Sequence, residues 1–305
     1  MQMRPPRSAY LGSAFQLPSA PHSLVALPQY GQGARESRWR ARQCLNPSVI
    51  LADARAMGAP VGVCKLCGQT GPLSRSHIVP EFAYAPIKND KNQMCAVGET
   101  RKTVQVGYRE RMLCSVCETL LSGYETKFKR LWMDSIPPDF SHLATGPLED
   151  VISVDVPDYD AFKLFHLSVF WRAAASTGFK IGNISFGLYE KEIATLIREG
   201  NPGAVGDFPF LAVLNLDDHG RPMPTVSQLA QGSGRFERRH HYYMMSYAFC
   251  DWTFVLARPG PQWMVELEAH CRQARRFLLH TVPFRQSKSF KLSAEMIRLI
   301  RNAPT

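Results

Sequence analysis

The 305-residue chain has no run of 18 or more apolar residues, so it offers no candidate membrane helix. It shows no secretory signal, and so no context that would turn its eight cysteines into a disulfide framework. The expectation is a reducing, cytoplasmic setting in which clustered cysteines bind metal. An internal repeat and a phosphate-cradling glycine loop are also missing, which sets aside solenoids and the common nucleotide-binding folds. Acid is scarce near the start, where residues 1–56 hold seven Arg and no Lys against Glu36 and Asp53. That stretch is rich in Pro, Ser, Gln and Gly and has no sustained period. Residues 1–58 therefore read as a disordered Arg/Pro-rich extension. The same composition fits a mitochondrial transit peptide, and Met57 offers a later start. The net charge of +10 suits a polyanionic partner, although much of the excess lies in this extension.

What the chain does have is concentrated in one place. Cys64-Lys-Leu-Cys67 and Cys114-Ser-Val-Cys117 are two CxxC pairs, and Ser76-His77-Ile78-Val79-Pro80 lies between them. Two thiolates on a tight turn cover one face of a zinc ion, and a second pair closes the tetrahedron. Cys64, Cys67, Cys114 and Cys117 are thus the expected Zn²⁺ ligands. Gly68 suits the turn after the first pair, where a positive φ is often needed. A redox role for the pairs lacks the strand-helix context it requires. Cys44, Cys95, Cys250 and Cys271 are scattered. Beyond Cys117, Leu120, Leu121, Tyr124, Phe128, Leu131 and Trp132 recur at helical spacing. Before Cys114, residues 103–108 alternate like a strand.

The order of knuckle, strand, His, loop, strand, knuckle and helix resembles the HNH endonuclease family over roughly residues 62–130. The residues that carry the likeness are Cys64-Lys-Leu-Cys67-Gly68, His77-Ile78-Val79-Pro80 and Leu113-Cys114-Ser-Val-Cys117-Glu118. The resemblance implies a ββα-metal finger on a structural zinc, with His77 as the base that takes a proton from water. It also implies a separate Mg²⁺ or Mn²⁺, for which Glu118 is the candidate ligand, with Glu81 or Glu125 beside it. The chain departs from the family pattern with Ser76 before the His and Arg109 five residues before the second pair. Two plainer readings stay open: Glu118 as a first-turn acid that complements the helix dipole, and His77 as a structural residue.

The remainder reads as a linker over 136–150 and a C-terminal domain over 151–305, with the finger assigned to 59–135. Residues 158–177 form a helix apolar on nearly every side, with Arg172 inside it needing a partner. A second helix runs from Leu188 to Glu199 and stops at Gly200-Asn-Pro-Gly203. Strands are expected at 208–216, 242–249, 253–257 and 263–267, and a closing helix at 292–301. Arg235, Arg238 and Arg239 before His240-His241 form a second basic run, more ordinary as an exposed loop. The expected fold is α+β: a treble-clef or ββα-metal-like zinc finger followed by a domain of helices and antiparallel strands. The expected function is an HNH-like endonuclease acting on DNA or RNA. Its rival is a non-catalytic zinc-binding scaffold that uses the finger for folding and docking, with the C-terminal domain as a further place for a protein partner.

Overall fold

The computed structural model describes residues 60–97, 101–134, 150–178, 184–224, 232–236, 239–287 and 290. The N-terminal extension, most of the linker and the helix expected at 292–301 lie outside them. The fold is mixed α and β. No helix among the described residues is long and apolar enough to cross a membrane.

Strands β1 (Val61–Val63) and β2 (Thr70–Pro72) pair antiparallel around the first CxxC turn. Next come β3 (Ser74–His77), a 3-10 turn (Glu81–Ile87), β4 (Met94–Val97) and β5 (Arg101–Val104), the last two paired with each other. Strand β6 (Arg109–Leu113) returns antiparallel to β3, placing His77 opposite Arg109 and Ser76 opposite Glu110. Helix α1 (Ser115–Phe128) starts directly after Cys114 and ends in a wide π turn (Lys129–Met133). The single strand expected over 103–108 is instead the end of β5, a bend, and then β6. At the bend Gly107 lies against the Tyr84 ring, where an added Cβ would fall 2.3 Å from a ring carbon.

The C-terminal half is a six-stranded sheet in the order β7-β12-β8-β11-β10-β9. Its strands are β7 (Val151–Asp155), β8 (Phe210–Leu216), β9 (Gly232–Phe236), β10 (His240–Tyr247), β11 (Cys250–Leu256) and β12 (Arg276–Pro283). All neighbours are antiparallel except β12 and β8. Helix α2 (Tyr159–Ala175) is capped by the Asp158 carboxylate and buried on nearly every side, as its composition requires. Helix α3 (Tyr189–Glu199) buries one face and ends on Gly200 at φ 66°, a left-handed stop. Two strand expectations needed correction. The β10–β11 turn falls at Ala248-Phe249, both at positive φ and inside the run expected as a strand over 242–249. A two-residue hairpin turn demands that geometry, but neither residue advertises it as Asn-Gly would. Residues 263–267 belong to helix α4 (Gln262–Ala274). Its inward stripe is Met264, Glu268 and Cys271, and the charge on Glu268 hides the period. Glu268 is tolerated there because fully buried Lys163 meets it at 2.7 Å.

One apolar cluster runs through both halves, from Cys64 to Leu279. Phe128 of α1 stacks on Phe165 of α2 with centroids 3.9 Å apart, and Trp132 packs on Trp252 of β11 at 5.2 Å. The Trp132 indole N–H donates to the Ala248 carbonyl at 3.0 Å. The end of α1 is therefore built into the core of the sheet.

Candidate metal centre and its charged flank

The Sγ atoms of Cys64, Cys67, Cys114 and Cys117 all lie within 4.8 Å of one another. Cys67 and Cys114 are 3.8 Å apart, far beyond a disulfide bond, and the described cysteines are free thiols. A tetrahedron with Zn–S bonds of about 2.3 Å has sulfur–sulfur edges of about 3.8 Å. The backbone sets this geometry. Gly68 donates to the Cys64 carbonyl at 2.8 Å and Cys64 to the Gln69 carbonyl at 2.8 Å, closing the turn. Gly68 sits at φ +75° with open space around it, so its backbone angle and not crowding calls for glycine. Lys65 N–H donates to the Met112 carbonyl at 2.9 Å and pins the turn to β6. Cys114 caps α1, so the second pair sits at a helix N-terminus, which favours thiolate.

The acidity of the thiols tests the fit to a cation. Hydrogen bonds from Cys114 and Cys117 bring the Cys64 thiol far below its ordinary range. The same contacts push Cys117 far up, and burial raises Cys67 to about 11. Thiolates this close repel one another, and a cation among them would offset that repulsion. This donor set fits Zn²⁺.

His77 does not point at the thiols. Its Nε2 accepts from Arg109 Nε at 2.6 Å and lies 3.0 Å from Glu81 Oε2. Both contacts cannot be hydrogen bonds at once. An Arg Nε only donates, so with Arg109 bound the proton is on Nδ1, and Glu81 gains a bond only when Nε2 is protonated. Burial, then the Arg109 charge, lower the pKa of His77, so the neutral form prevails at neutral pH. Burial disfavours ionised Glu81, but hydrogen bonds from Lys88 and from the Gly107 N–H outweigh it and keep its pKa low.

Glu118 lies elsewhere. No hydrogen bond or ion pair joins it to His77; it sits by Ser76, Arg172, Glu125 and Cys64. Burial raises its pKa, while Ser76 and Arg172 oppose the shift. The Ser76 hydroxyl faces it but stops short of a formed hydrogen bond. Arg172 reaches this space from α2 and is 1% exposed. Its Nη1 donates to Glu125 at 2.6 Å and to the His77 carbonyl at 2.8 Å, and its Nε donates to Ser168 O at 3.3 Å. The partner that the sequence left unnamed is thus Glu125. The guanidinium occupies the space between β3 and α1, and among the described residues the four cysteines are the sole group with metal-ligand geometry. Of the carboxylates expected for a divalent ion, Glu125 is paired with Arg172 and Glu81 with Lys88, while Glu118 feels the Arg172 charge without a formed bond.

Sequence reasoning missed Glu110. Its carboxylate accepts from the Thr177 N–H at 3.0 Å, the Gly178 N–H at 3.1 Å, both hydroxyls of Ser176 and Thr177, and Lys65 Nζ at 3.0 Å. Burial opposes its ionisation, but these donors prevail and bring the carboxyl to about 2. The signal was readable only as alternation along Arg109-Glu-Arg111, where one charge faces away from its neighbours.

Compared with known proteins, the chain matches no family model, no curated protein and no solved structure at a significant level.

Proposed function

We propose that the chain is an HNH-like zinc-finger protein that hydrolyses a nucleic-acid phosphodiester. The four cysteines hold one structural Zn²⁺ in a treble-clef-like finger, and His77 is the general base. The observation that carries the reading is the state of His77. A neutral imidazole stands at the end of β3, its side chain 22% exposed, turned away from the thiols and set between a cation and a carboxylate. Groups poised in this way concentrate at reactive sites.

The chemistry follows from the two states of Nε2. When a phosphate group arrives, Arg109 leaves the imidazole for the phosphate oxygens, which it can pair in a bidentate manner. The freed Nε2 takes a proton from the attacking water as its oxygen bonds to phosphorus and the bond to the leaving oxygen breaks; Glu81 accepts from the imidazolium, and the leaving oxygen takes its proton from solvent. A second divalent ion does not fit Glu118 and Glu125 as they stand, because Arg172 holds that space.

The test is cleavage of supercoiled plasmid, single-stranded DNA and RNA by purified protein, with and without added Mg²⁺ or Mn²⁺, beside His77→Gln. The variant is expected to lose roughly a hundredfold or more in rate while keeping its zinc and its circular dichroism. Normal cutting by the variant would sink the assignment of His77.

A second reading has its own observation. Arg172 fastens the finger to α2 through Glu125 and the His77 carbonyl, as a docked scaffold would need. A zinc-loaded wild type that cuts none of the substrates would favour that reading and turn attention to a protein partner of the sheet domain.

A further inference from the structure

The β3–β6 hairpin has two unlike faces. Ser76, Glu110 and Met112 point inward, where Ser76 and Met112 are buried and Glu110 is bound to the segment after α2. Arg75, His77, Arg109 and Arg111 point outward; the three arginines are exposed. The register sets Arg75 directly opposite Arg111, and His77 directly opposite Arg109.

Directly opposed like charges in an antiparallel pair have Cβ atoms about 5 Å apart and destabilise the sheet. Among the described residues no carboxylate relieves the repulsion: Arg75 makes no hydrogen bond or ion pair there, and Arg111 donates to the Leu73 carbonyl at 2.9 Å. Glu81, the carboxylate at the His77 end, is bound by Lys88 and the Gly107 N–H and lies 3.8 Å from Arg109 Nη2, so it offsets Arg109 and not the Arg75–Arg111 pair. A hairpin this short gains little from its own pairing. Two directly opposed guanidinium groups with no carboxylate partner among the described residues, in line with Arg109, suit a negative partner from outside the chain. Planar guanidinium groups suit phosphate, and alternate residues along a strand repeat about every 7 Å, so the face offers several contacts in a line.

We propose that the outer face of this hairpin, Arg75, Arg111 and Arg109, is the surface on which a nucleic-acid phosphate backbone lies. The proposal rests on the nucleic-acid reading above and deepens it. A strand bound along the arginines passes over His77, because His77 shares their face. The basic run at Arg235, Arg239 and His241 is a lesser candidate, since Arg235 there faces a histidine and not another guanidinium.

The experiment measures binding of the full chain to fluorescent duplex DNA, single-stranded DNA and RNA over a series of salt concentrations. The proteins are wild type, Arg75→Gln, Arg111→Gln, the double variant, and Arg285→Gln as an exposed control. Each lost phosphate contact should flatten the plot of log K against log salt by about 0.9 on duplex and about 0.7 on single strands. The double variant should lose about twice that, and Arg285→Gln nothing. Relief of the like-charge pair predicts that Arg75→Gln keeps or raises the melting temperature, so weaker binding cannot be laid to misfolding. Wild-type binding with unchanged slopes in Arg75→Gln and Arg111→Gln would overturn the surface and leave the nucleic-acid reading standing. No wild-type binding to any of the three nucleic acids would overturn both. Arginine-dependent binding without cleavage would uphold the surface and end the hydrolytic reading.

Discussion

The finger, Val61 to Met133, and the six-stranded body differ in what holds them together. The finger consists of three two-stranded pairs of three to five residues per strand, and one helix. Pairs of that size are marginal in water. Its four thiols lie together, and it joins the body through polar bonds of Arg172 and Glu110 and through the shared apolar cluster. The body has a sheet six strands wide and a helix buried nearly all round, with Phe162, Phe165, His166, Phe210, Trp252 and Phe277 packed ring on ring. The contrast shows how a segment too small for a core of its own can be rigid. The four thiols could hold a metal on one side, and a finished domain lies on the other. The seam lies inside α1, since Cys117 faces the thiols while Phe128 stacks within the aromatic core.

Removing the metal should break the comparison most sharply. Structural zinc supplies on the order of 10 kcal/mol in small fingers. Chelation, or Cys117→Ala, is expected to abolish amide-exchange protection from β1 through β6 while β8, β10 and β11 stay protected. The end of α1 should follow the body, because Phe128 and Trp132 are held there. If the finger strands keep their protection without metal, the thiol cluster is not what orders them.

Arg172 should come next. Taking away one partner of a buried pair costs about 3–5 kcal/mol, since the other is left without its charge. Arg172→Ala is expected to fall in that range in zinc-saturated protein by urea denaturation, and Arg172→Met in an Glu125→Gln background to recover part of it. A cost below 1 kcal/mol for Arg172→Ala would mean that the finger docks through apolar contacts alone, and the proposed contrast between the two halves would fail.

Legibility followed the same division. The cysteine spacing is local, so the sequence pointed to the cluster that the structure assembles. Helix α2 was legible because a run apolar on every side has few places to go, and α3 because Gly200 marks its end. Strands β7 and β12 were not foreseen: they pair across more than a hundred residues, and that pairing leaves no local mark. Helix α4 was misread because its buried stripe includes Glu268, whose partner Lys163 lies on another helix. The charged flank was hardest for the same reason. Arg172, Glu125 and the His77 carbonyl come from three separate elements, and so do Glu110, Lys65 and the turn after α2. Buried polar groups must find partners, yet composition does not say which ones.

Glu110 offers the smallest effect and the cleanest sign. Its folded carboxyl is near 2 against an ordinary 4.5. At about 1.4 kcal/mol per unit, discounted for partial exposure, this is roughly 2 kcal/mol of stability. Because the folded value is the lower one, the contribution is complete above the unfolded pKa and is lost as pH falls through the folded one. Glu110→Gln should therefore be less stable than wild type by roughly the same amount at pH 7 and pH 5. The gap should begin to close only below about pH 4.5. Acid also protonates the zinc thiolates, but it does so in both proteins, so the difference between them isolates Glu110. Zinc content at pH 7 should be equal in the two, because the carboxylate binds the turn after α2 and not the metal. A variant that loses zinc at pH 7 would show that this latch also shapes the thiol cluster, and the finger could no longer be divided into a metal side and a docking side.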